Sequence, residues 1–208
     1  MSTTPVKPDT GRVLPKEPLR AAIVVGAATV LLYLVELIDV ILPADLDLNG
    51  IVPRTLGGLD GIVWMPFLHG GWPHLLSNTL PFVVLGFLVF ANGFGQWIAV
   101  TATIWIVGGV GVWLTGASGS VHVGASGVIF GWMLFLLVRG VFNRSFRQLA
   151  VAVVLLAYWG TMLFGVLPGD PGISWQGHLF GALGGVLAAW MVSVANRQAG
   201  KAAPAVPS

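Results

Sequence analysis

The residues best suited to chemistry in this chain are a serine and several histidines. The sequence contains four histidines and no cysteine, which excludes disulfides, thiolate metal sites and a cysteine nucleophile. A serine hydroxyl is a poor nucleophile at neutral pH, so an imidazole must take its proton and later give it to a leaving amine. Ser126 and His178 are predicted to be this pair, provided that the elements carrying them approach closely.

A developing oxyanion also needs hydrogen-bond donors. Asn78 lies four residues after His74, so both side chains project from one face of a predicted helix. Together with the backbone N–H of Ser126 at a helix N-terminus, they are predicted to hold the oxyanion. Neither predicted helix that carries Ser126 or His178 contains Asp or Glu, so a dyad is expected rather than a triad. Phe130, one turn after Ser126, is predicted to pack on the imidazole.

The composition indicates which elements position these residues. Of 208 residues, 56% are apolar and 9% are charged, whereas soluble domains carry roughly 25% charged residues. About 20 helical residues span the hydrocarbon layer. The chain is therefore predicted to be an all-α membrane protein with six transmembrane helices, at 19–42, 72–90, 96–114, 126–138, 146–166 and 174–195. Residues 1–18 and 197–208 are expected to be tails around one domain, 19–196.

The basic residues predict the orientation in the membrane. They are Lys7, Arg12, Lys16 and Arg20 before the first crossing, Arg139, Arg144 and Arg147 after the fourth, and Arg197 and Lys201 after the sixth. Only Arg54 falls on the other side. By the positive-inside rule both termini are cytoplasmic, and the four histidines lie at the outer side. The basic residues form no patch, so the net charge of +2 does not indicate a nucleic-acid partner.

The fourth crossing is unusually short. Residues 126–138 number 13, about 20 Å of helix, and Arg139 is expected to end it at the cytoplasmic face. Ser126 should therefore begin its helix inside the membrane, facing a water-filled pocket that covers the irregular segment before it. Small residues recur every fourth position, at Gly127 and Gly131 and at Gly177, Gly181 and Gly185. They are predicted to let the fourth and sixth helices pack closely.

Three sequence blocks together resemble the signature of the rhomboid intramembrane serine proteases. They are His69-Gly-Gly-Trp-Pro-His74-Leu-Leu-Ser-Asn78, Gly124-Ala-Ser126-Gly127, and Gly177-His178-Leu-Phe-Gly181-Ala-Leu-Gly-Gly185. The resemblance implies that Ser126 is the nucleophile, that His178 is the base, and that His74 and Asn78 line the oxyanion site. It also implies cleavage of transmembrane segments near their outer ends, with substrate entering between the second and fifth helices. Many members have Tyr where Phe130 stands.

No metal or organic cofactor is expected, and activity should resist chelators. The expected partners are membrane lipid and the transmembrane segments of substrate proteins. A bacterial plasma membrane is the expected location, since no transit peptide is apparent.

Three other functions compete with proteolysis. A catalytically silent rhomboid-like protein that binds membrane helices stays open as the alternative. A transporter would need midplane charges and paired broken helices, and a zinc protease would need HExxH, which is missing. His69 and His122 are expected to be loop or interfacial residues, and Asp170 a solvated turn. Glu36 and Asp39 either line the wet cavity or reach the interface, since an ionisable group in a membrane helix is costly.

Overall fold

The computed structural model describes residues 11–169 and 172–202. Asp170, Lys7 and the tail residues 1–10 and 203–208 lie outside the described residues. The helices of the described parts are α1 (Pro18–Ile41), α2 (Gly61–Trp64), α3 (Trp72–Val89), α4 (Phe94–Thr115), α5 (Ser126–Asn143), α6 (Phe146–Trp159) and α7 (Trp175–Ala202). A 3₁₀ segment, Gly160–Val166, continues α6. Six spans in these residues are long and apolar enough to cross a membrane, which confirms the predicted six-helix bundle.

Helix α5 is the centre of the bundle. It packs most extensively on α7 and also contacts α3, α4 and α6. Trp132 and Leu136 on this helix are completely buried, and α5 is the most buried of the six spans, whereas α6 is the least buried. The helix that begins with the candidate nucleophile is therefore held on all sides.

Glycines bring α5 and α7 into backbone contact. A Cβ atom at Gly181 would overlap the carbonyl oxygen of Gly127, and one at Gly185 would overlap the carbonyl oxygen of Gly131. Gly127 in turn lies under Gly177, whose carbonyl oxygen would be 3.1 Å from an added Cβ. Helices can approach this closely in a membrane only where side chains are missing, so the glycines set the distance between the N-terminal halves of α5 and α7.

The predicted end of the fourth spanning helix was wrong. Helix α5 continues through Arg139 to Asn143, and the Arg139 side chain is 3% exposed, with its guanidinium carbon 5.7 Å from the centre of the Phe135 ring. The helix ends at Arg144, which adopts a left-handed conformation at φ 52°, a common helix stop. A charged side chain is not itself a stop when the bundle can bury it. With 18 residues, α5 is still the shortest span.

Helix α7 is also longer than predicted. It continues to Ala202, so the segment expected as a tail from residue 197 begins within a helix.

The loop between α1 and α3 and the loop between α4 and α5 are joined beside the start of α5. Ile51 and His122 form an isolated antiparallel bridge. The Arg54 guanidinium donates hydrogen bonds to the carbonyl oxygen of Gly116 and to the Ser118 hydroxyl, both at 2.7 Å. The loop between α1 and α3 therefore supports the loop that leads into Ser126.

Candidate active site

Ser126 and His178 meet at the N-terminal ends of α5 and α7. Ser126 is the first residue of α5, and His178 lies in the first turn of α7. The Ser126 hydroxyl oxygen and His178 Nε2 are 2.8 Å apart. His178 Nδ1 lies 2.9 Å from the carbonyl oxygen of Gly165. Because a carbonyl can only accept, Nδ1 carries the proton in neutral His178, and Nε2 is free to accept from the serine hydroxyl.

The imidazole of His178 is clamped between an aromatic ring and a backbone turn. Phe130 stacks on it with ring centres 4.0 Å apart and planes inclined by 6°. A Cβ atom at Gly165 would lie 3.0 Å from the Phe130 ring and 3.1 Å from His178 Nδ1. The predicted packing of Phe130 on the imidazole therefore matches the geometry. Gly165 was missed, because a backbone acceptor in a 3₁₀ segment has no side-chain signature.

His74 directs a donor toward the serine. Its Nδ1 accepts a hydrogen bond from the backbone N–H of Gly70 at 3.3 Å, so neutral His74 carries its proton on Nε2. A Cβ atom at Gly124 would lie 3.0 Å from His74 Nε2 and 3.6 Å from the Ser126 hydroxyl oxygen. Gly124 also has φ +117°, which only glycine adopts readily. The missing side chain leaves a small space that His74 and Ser126 share.

Asn78 supplies a second donor with no partner in the structure. It lies one turn after His74 on α3, is 8% exposed, and its Nδ2 is buried without a hydrogen bond. An orphaned buried donor is costly and uncommon. Ser126 begins α5, so its backbone N–H has no acceptor within the helix. Three donors are thus available for an oxyanion beside the dyad.

His69 supports the segment that precedes the serine, a role that the sequence analysis missed. It lies in the loop before α3, as expected, but it is 1% exposed. Its Nε2 accepts from the backbone N–H of Ala125 at 3.4 Å, and its ring centre is 5.2 Å from that of His74. Burial, aided by the neighbouring charge of His74, lowers the pKa of His69 to about 4. His69 therefore stays neutral and can keep accepting the hydrogen bond from Ala125. The only sequence signal for this role was its position in the same block as His74.

His122 connects the serine loop to the start of α7. Its Nδ1 lies 2.7 Å from the Ser174 hydroxyl and its Nε2 lies 2.8 Å from the Ser120 hydroxyl. The Ser174 hydroxyl also accepts from the backbone N–H of Gly177 at 3.3 Å. Burial lowers the pKa of His122, so it too remains a neutral connector. Its position in the loop between α4 and α5 agrees with the expectation of a loop residue.

Comparison with known proteins identifies the family. The model of the Rhomboid domain matches residues 57–195. The chain belongs to the rhomboid family. It is also 46% identical over 189 residues to an uncharacterized protein of Mycobacterium tuberculosis strain H37Rv, covering 85% of this chain and 79% of that protein. An uncharacterized protein of Mycobacterium leprae is 46% identical over 187 residues, covering 84% and 74%. Rhomboid membership confirms the resemblance, and the relatives' names assign no activity.

Proposed function

We propose that this rhomboid is an intramembrane serine endopeptidase in which Ser126 is the nucleophile and His178 is the general base. The observation that carries the proposal is the 2.8 Å contact between the Ser126 hydroxyl and His178 Nε2, with Nδ1 held by the carbonyl oxygen of Gly165. A catalytically silent protein has no need for a serine and an imidazole in this tautomer and at this distance.

Acylation begins when the Ser126 oxygen attacks the carbonyl carbon of a substrate peptide bond. The hydroxyl proton moves to His178 Nε2, and the carbonyl oxygen becomes an oxyanion. The Asn78 amide, His74 Nε2–H and the Ser126 backbone N–H stabilise this charge. The imidazolium then protonates the leaving amine as the C–N bond breaks, which leaves an acyl ester on Ser126 and a neutral His178.

Hydrolysis of the ester repeats these steps with water. His178 Nε2 takes a proton from a water molecule that attacks the ester carbon, and the same donors hold the second oxyanion. The imidazolium returns its proton to the Ser126 oxygen, and the carboxyl product leaves. Phe130 stacks on the His178 ring, and an aromatic face also attracts the imidazolium that forms during each step. No metal or organic cofactor takes part in either step.

The proposed substrates are transmembrane segments of other proteins, cut near their outer ends. Ser126 and His178 lie at one end of their spans, and Arg144, Arg147 and Arg197 flank the other end. By the positive-inside rule that other end is cytoplasmic. The active site then faces outward from a bacterial plasma membrane, with both termini, including tails at 1–18 and 197–208, in the cytoplasm. Entry between α3 and α6 is favoured because α6 is the least buried span.

The test is cleavage of a labelled single-pass substrate in liposomes by the purified protein. Ser126→Ala should abolish cleavage and keep the melting temperature of the bundle, because the change removes one hydroxyl. Ser193→Ala is the matched control. Ser193 is 2% exposed at the cytoplasmic end of α7, where its hydroxyl bonds to the carbonyl oxygen of Phe142. Ser193→Ala makes the same chemical change far from Ser126 and His178, so this variant should still cleave the substrate.

Two results would overturn the assignment. Unaltered cleavage by Ser126→Ala would remove Ser126 as the nucleophile. Binding of the substrate helix without cleavage by any variant, also with a second substrate that unwinds more easily, would favour the silent helix-binding function.

A further inference from the structure

His122 joins the loop that carries the nucleophile to the helix that carries the base. It lies four residues before Ser126, and its backbone exchanges two hydrogen bonds of 3.0 Å with Ile51. Its imidazole Nδ1 lies 2.7 Å from the hydroxyl of Ser174, the residue before α7. The residue is 8% exposed. One buried side chain therefore spans the two segments that hold Ser126 and His178.

The direction of the hydrogen bonds around His122 follows from the proton of one hydroxyl. Ser120 donates to the carbonyl oxygen of Ala117 at 2.7 Å. Because a hydroxyl has a single proton to give, the Ser120 oxygen accepts from His122 Nε2 at 2.8 Å. Neutral His122 therefore carries its proton on Nε2, and Nδ1 accepts from the Ser174 hydroxyl. A Cβ atom at Gly116 would lie only 2.8 Å from Nε2, so the ring is also closely packed.

Ser174 is the N-cap of α7. Its Oγ accepts from the backbone N–H of Gly177 at 3.3 Å, and its carbonyl oxygen accepts from the N–H of His178 at 3.1 Å. A side-chain bond to the third residue of a helix is the usual N-cap pattern. Because the Ser174 proton is given to His122 Nδ1, the lone pairs of Oγ are left for Gly177. The base His178 lies in the turn that this cap closes.

We propose that His122 is a positioning residue of the dyad, which acts through Ser174 on the first turn of α7. By fixing the cap hydroxyl from the nucleophile's own loop, it keeps His178 Nε2 at 2.8 Å from the Ser126 hydroxyl. Its role is geometric, since a displacement of about 1 Å at a reacting group can lower a rate by roughly 10²-fold. The effect on cleavage rests on the proposed function, whereas the link between His122 and α7 does not.

Two amide substitutions divide the contacts of His122 between them. The amide of asparagine reaches the position of Nδ1, so His122→Asn keeps an acceptor for Ser174 and loses the bond to Ser120. The longer side chain of His122→Gln reaches the position of Nε2, so it keeps the bond to Ser120 and loses the one to Ser174. We expect His122→Gln to lower kcat roughly two- to thirtyfold with little change in KM, the range for loss of an N-cap, and His122→Asn to retain most of the activity. The reverse order, or equal rates, would overturn the proposal, because His122 would then only support its own loop.

A double-mutant cycle tests whether His122 acts through the cap. Ser174→Ala should lower kcat at least as much as His122→Gln, and Ser174→Thr, which keeps the hydroxyl, should restore it. The double variant His122→Gln/Ser174→Ala should be no slower than Ser174→Ala, because both changes remove one shared contact. A double variant slowed by the product of the two single effects would refute the coupling. If His122→Gln does not fold, Ser174→Ala against Ser174→Thr makes the same comparison.

Ser145→Ala is the matched control for loss of an N-cap. Ser145 caps α6, and its side chain accepts from the N–H of Gln148, again the third residue of the helix. Its loss should lower the melting temperature about as much as Ser174→Ala does and leave kcat unchanged. An equal fall in kcat for Ser145→Ala would mean that any weakened cap slows cleavage, which would overturn the specific role of His122.

Hydrogen exchange follows the same contact without cleavage. In the Ser126→Ala protein, the amides of Gly177 and His178 should exchange faster when His122→Gln is added and at the parent rate when His122→Asn is added. Unchanged exchange in His122→Gln would overturn the positioning role even if the wild-type protein cleaves its substrate. Faster exchange together with a wild-type protein that cleaves nothing would refute the protease and keep the link between His122 and α7.

Discussion

Replacing Asn78 tests the oxyanion site more cleanly than any other single change. The Asn78 Nδ2 donor is buried and has no partner in the resting structure. Asn78→Ala therefore removes a donor that has no partner among the described residues and that is proposed to bond to the oxyanion. Loss of one such donor costs about 2.7 to 4 kcal/mol in the transition state, which corresponds to a fall in kcat of roughly 10² to 10³. Residual cleavage should remain, because His74 and the Ser126 N–H stay in position.

The signature of this role is a change in kcat with little change in KM. An interaction made only in the transition state lowers kcat and kcat/KM together. The melting temperature should stay within about 2 to 4 °C of wild type, the shift expected for 1 kcal/mol in a chain of this size. Removal of the unpaired buried donor stabilises the fold, and this gain offsets part of the stability lost with the side-chain packing. Asn78→Asp should be slower than Asn78→Ala, because its carboxylate repels the developing negative charge.

The assay is initial rates over a range of substrate density in liposomes, with Asn196→Ala as the control. Asn196 lies near the C-terminal end of α7, at the opposite end of the helix from His178, and its loss should leave kcat unchanged. A raised KM at normal kcat would mean that Asn78 binds substrate and does not hold the oxyanion. A folded but wholly inert Asn78→Ala would mean that it also positions another group.

Four further outcomes follow from the structure. His178→Ala should abolish liposome cleavage and leave a folded bundle by thermal melting; measurable turnover would contradict the general-base role. Phe130→Ala should lower kcat by roughly two- to tenfold, as expected for loss of about 0.5 to 1.5 kcal/mol of ring contact, and Phe130→Tyr should restore it if orientation of the imidazole is the cause. Gly181→Leu should lower both melting temperature and rate, because its side chain would strike the Gly127 carbonyl; normal values of both would refute the close-packing argument. Burial and the charges of Asp39, Asp45 and Glu36 raise the pKa of Asp47 to about 6, so its protonated form is favoured in the fold and this stability is lost as pH rises through 6. Asp47→Asn should therefore melt above wild type at pH 7, and a gap in melting temperature that did not narrow toward pH 4 would contradict this effect.

The parts of the fold and site that sequence could predict are those that side-chain types encode. Long apolar stretches predicted the six spans, and the spacing of glycines predicted where α5 and α7 meet. Catalysis needs particular side chains, so the sequence alone predicted four candidate site residues, Ser126, His178, His74 and Asn78. The roles assigned to these four residues stay predictions until cleavage is measured.

The parts that sequence reasoning missed depend on backbone groups or on burial. Gly165 contributes a carbonyl oxygen, which every residue has, so nothing in its type marks it. Arg139 was read as the end of a helix because a charge in lipid is costly, yet the bundle buries it beside an aromatic ring. His69 was predicted to be a loop residue, and it is one. Its burial was not predicted, because it depends on how separate loops pack against each other in the folded chain.

Among the described residues, the partner of His178 Nδ1 is the Gly165 carbonyl and not a carboxylate, which has a physical consequence for the proposed reaction. In a triad, a carboxylate fixes the imidazole tautomer and stabilises the imidazolium that forms. Here the Gly165 carbonyl fixes the same tautomer, and Phe130 holds the ring plane. A neutral carbonyl stabilises the imidazolium less than a carboxylate does, but it avoids burying a third ionisable group at membrane depth, where each unpaired charge is costly. His178 should therefore be correctly oriented but a weaker general base than the histidine of a triad. A larger share of the catalysis must then come from the oxyanion donors.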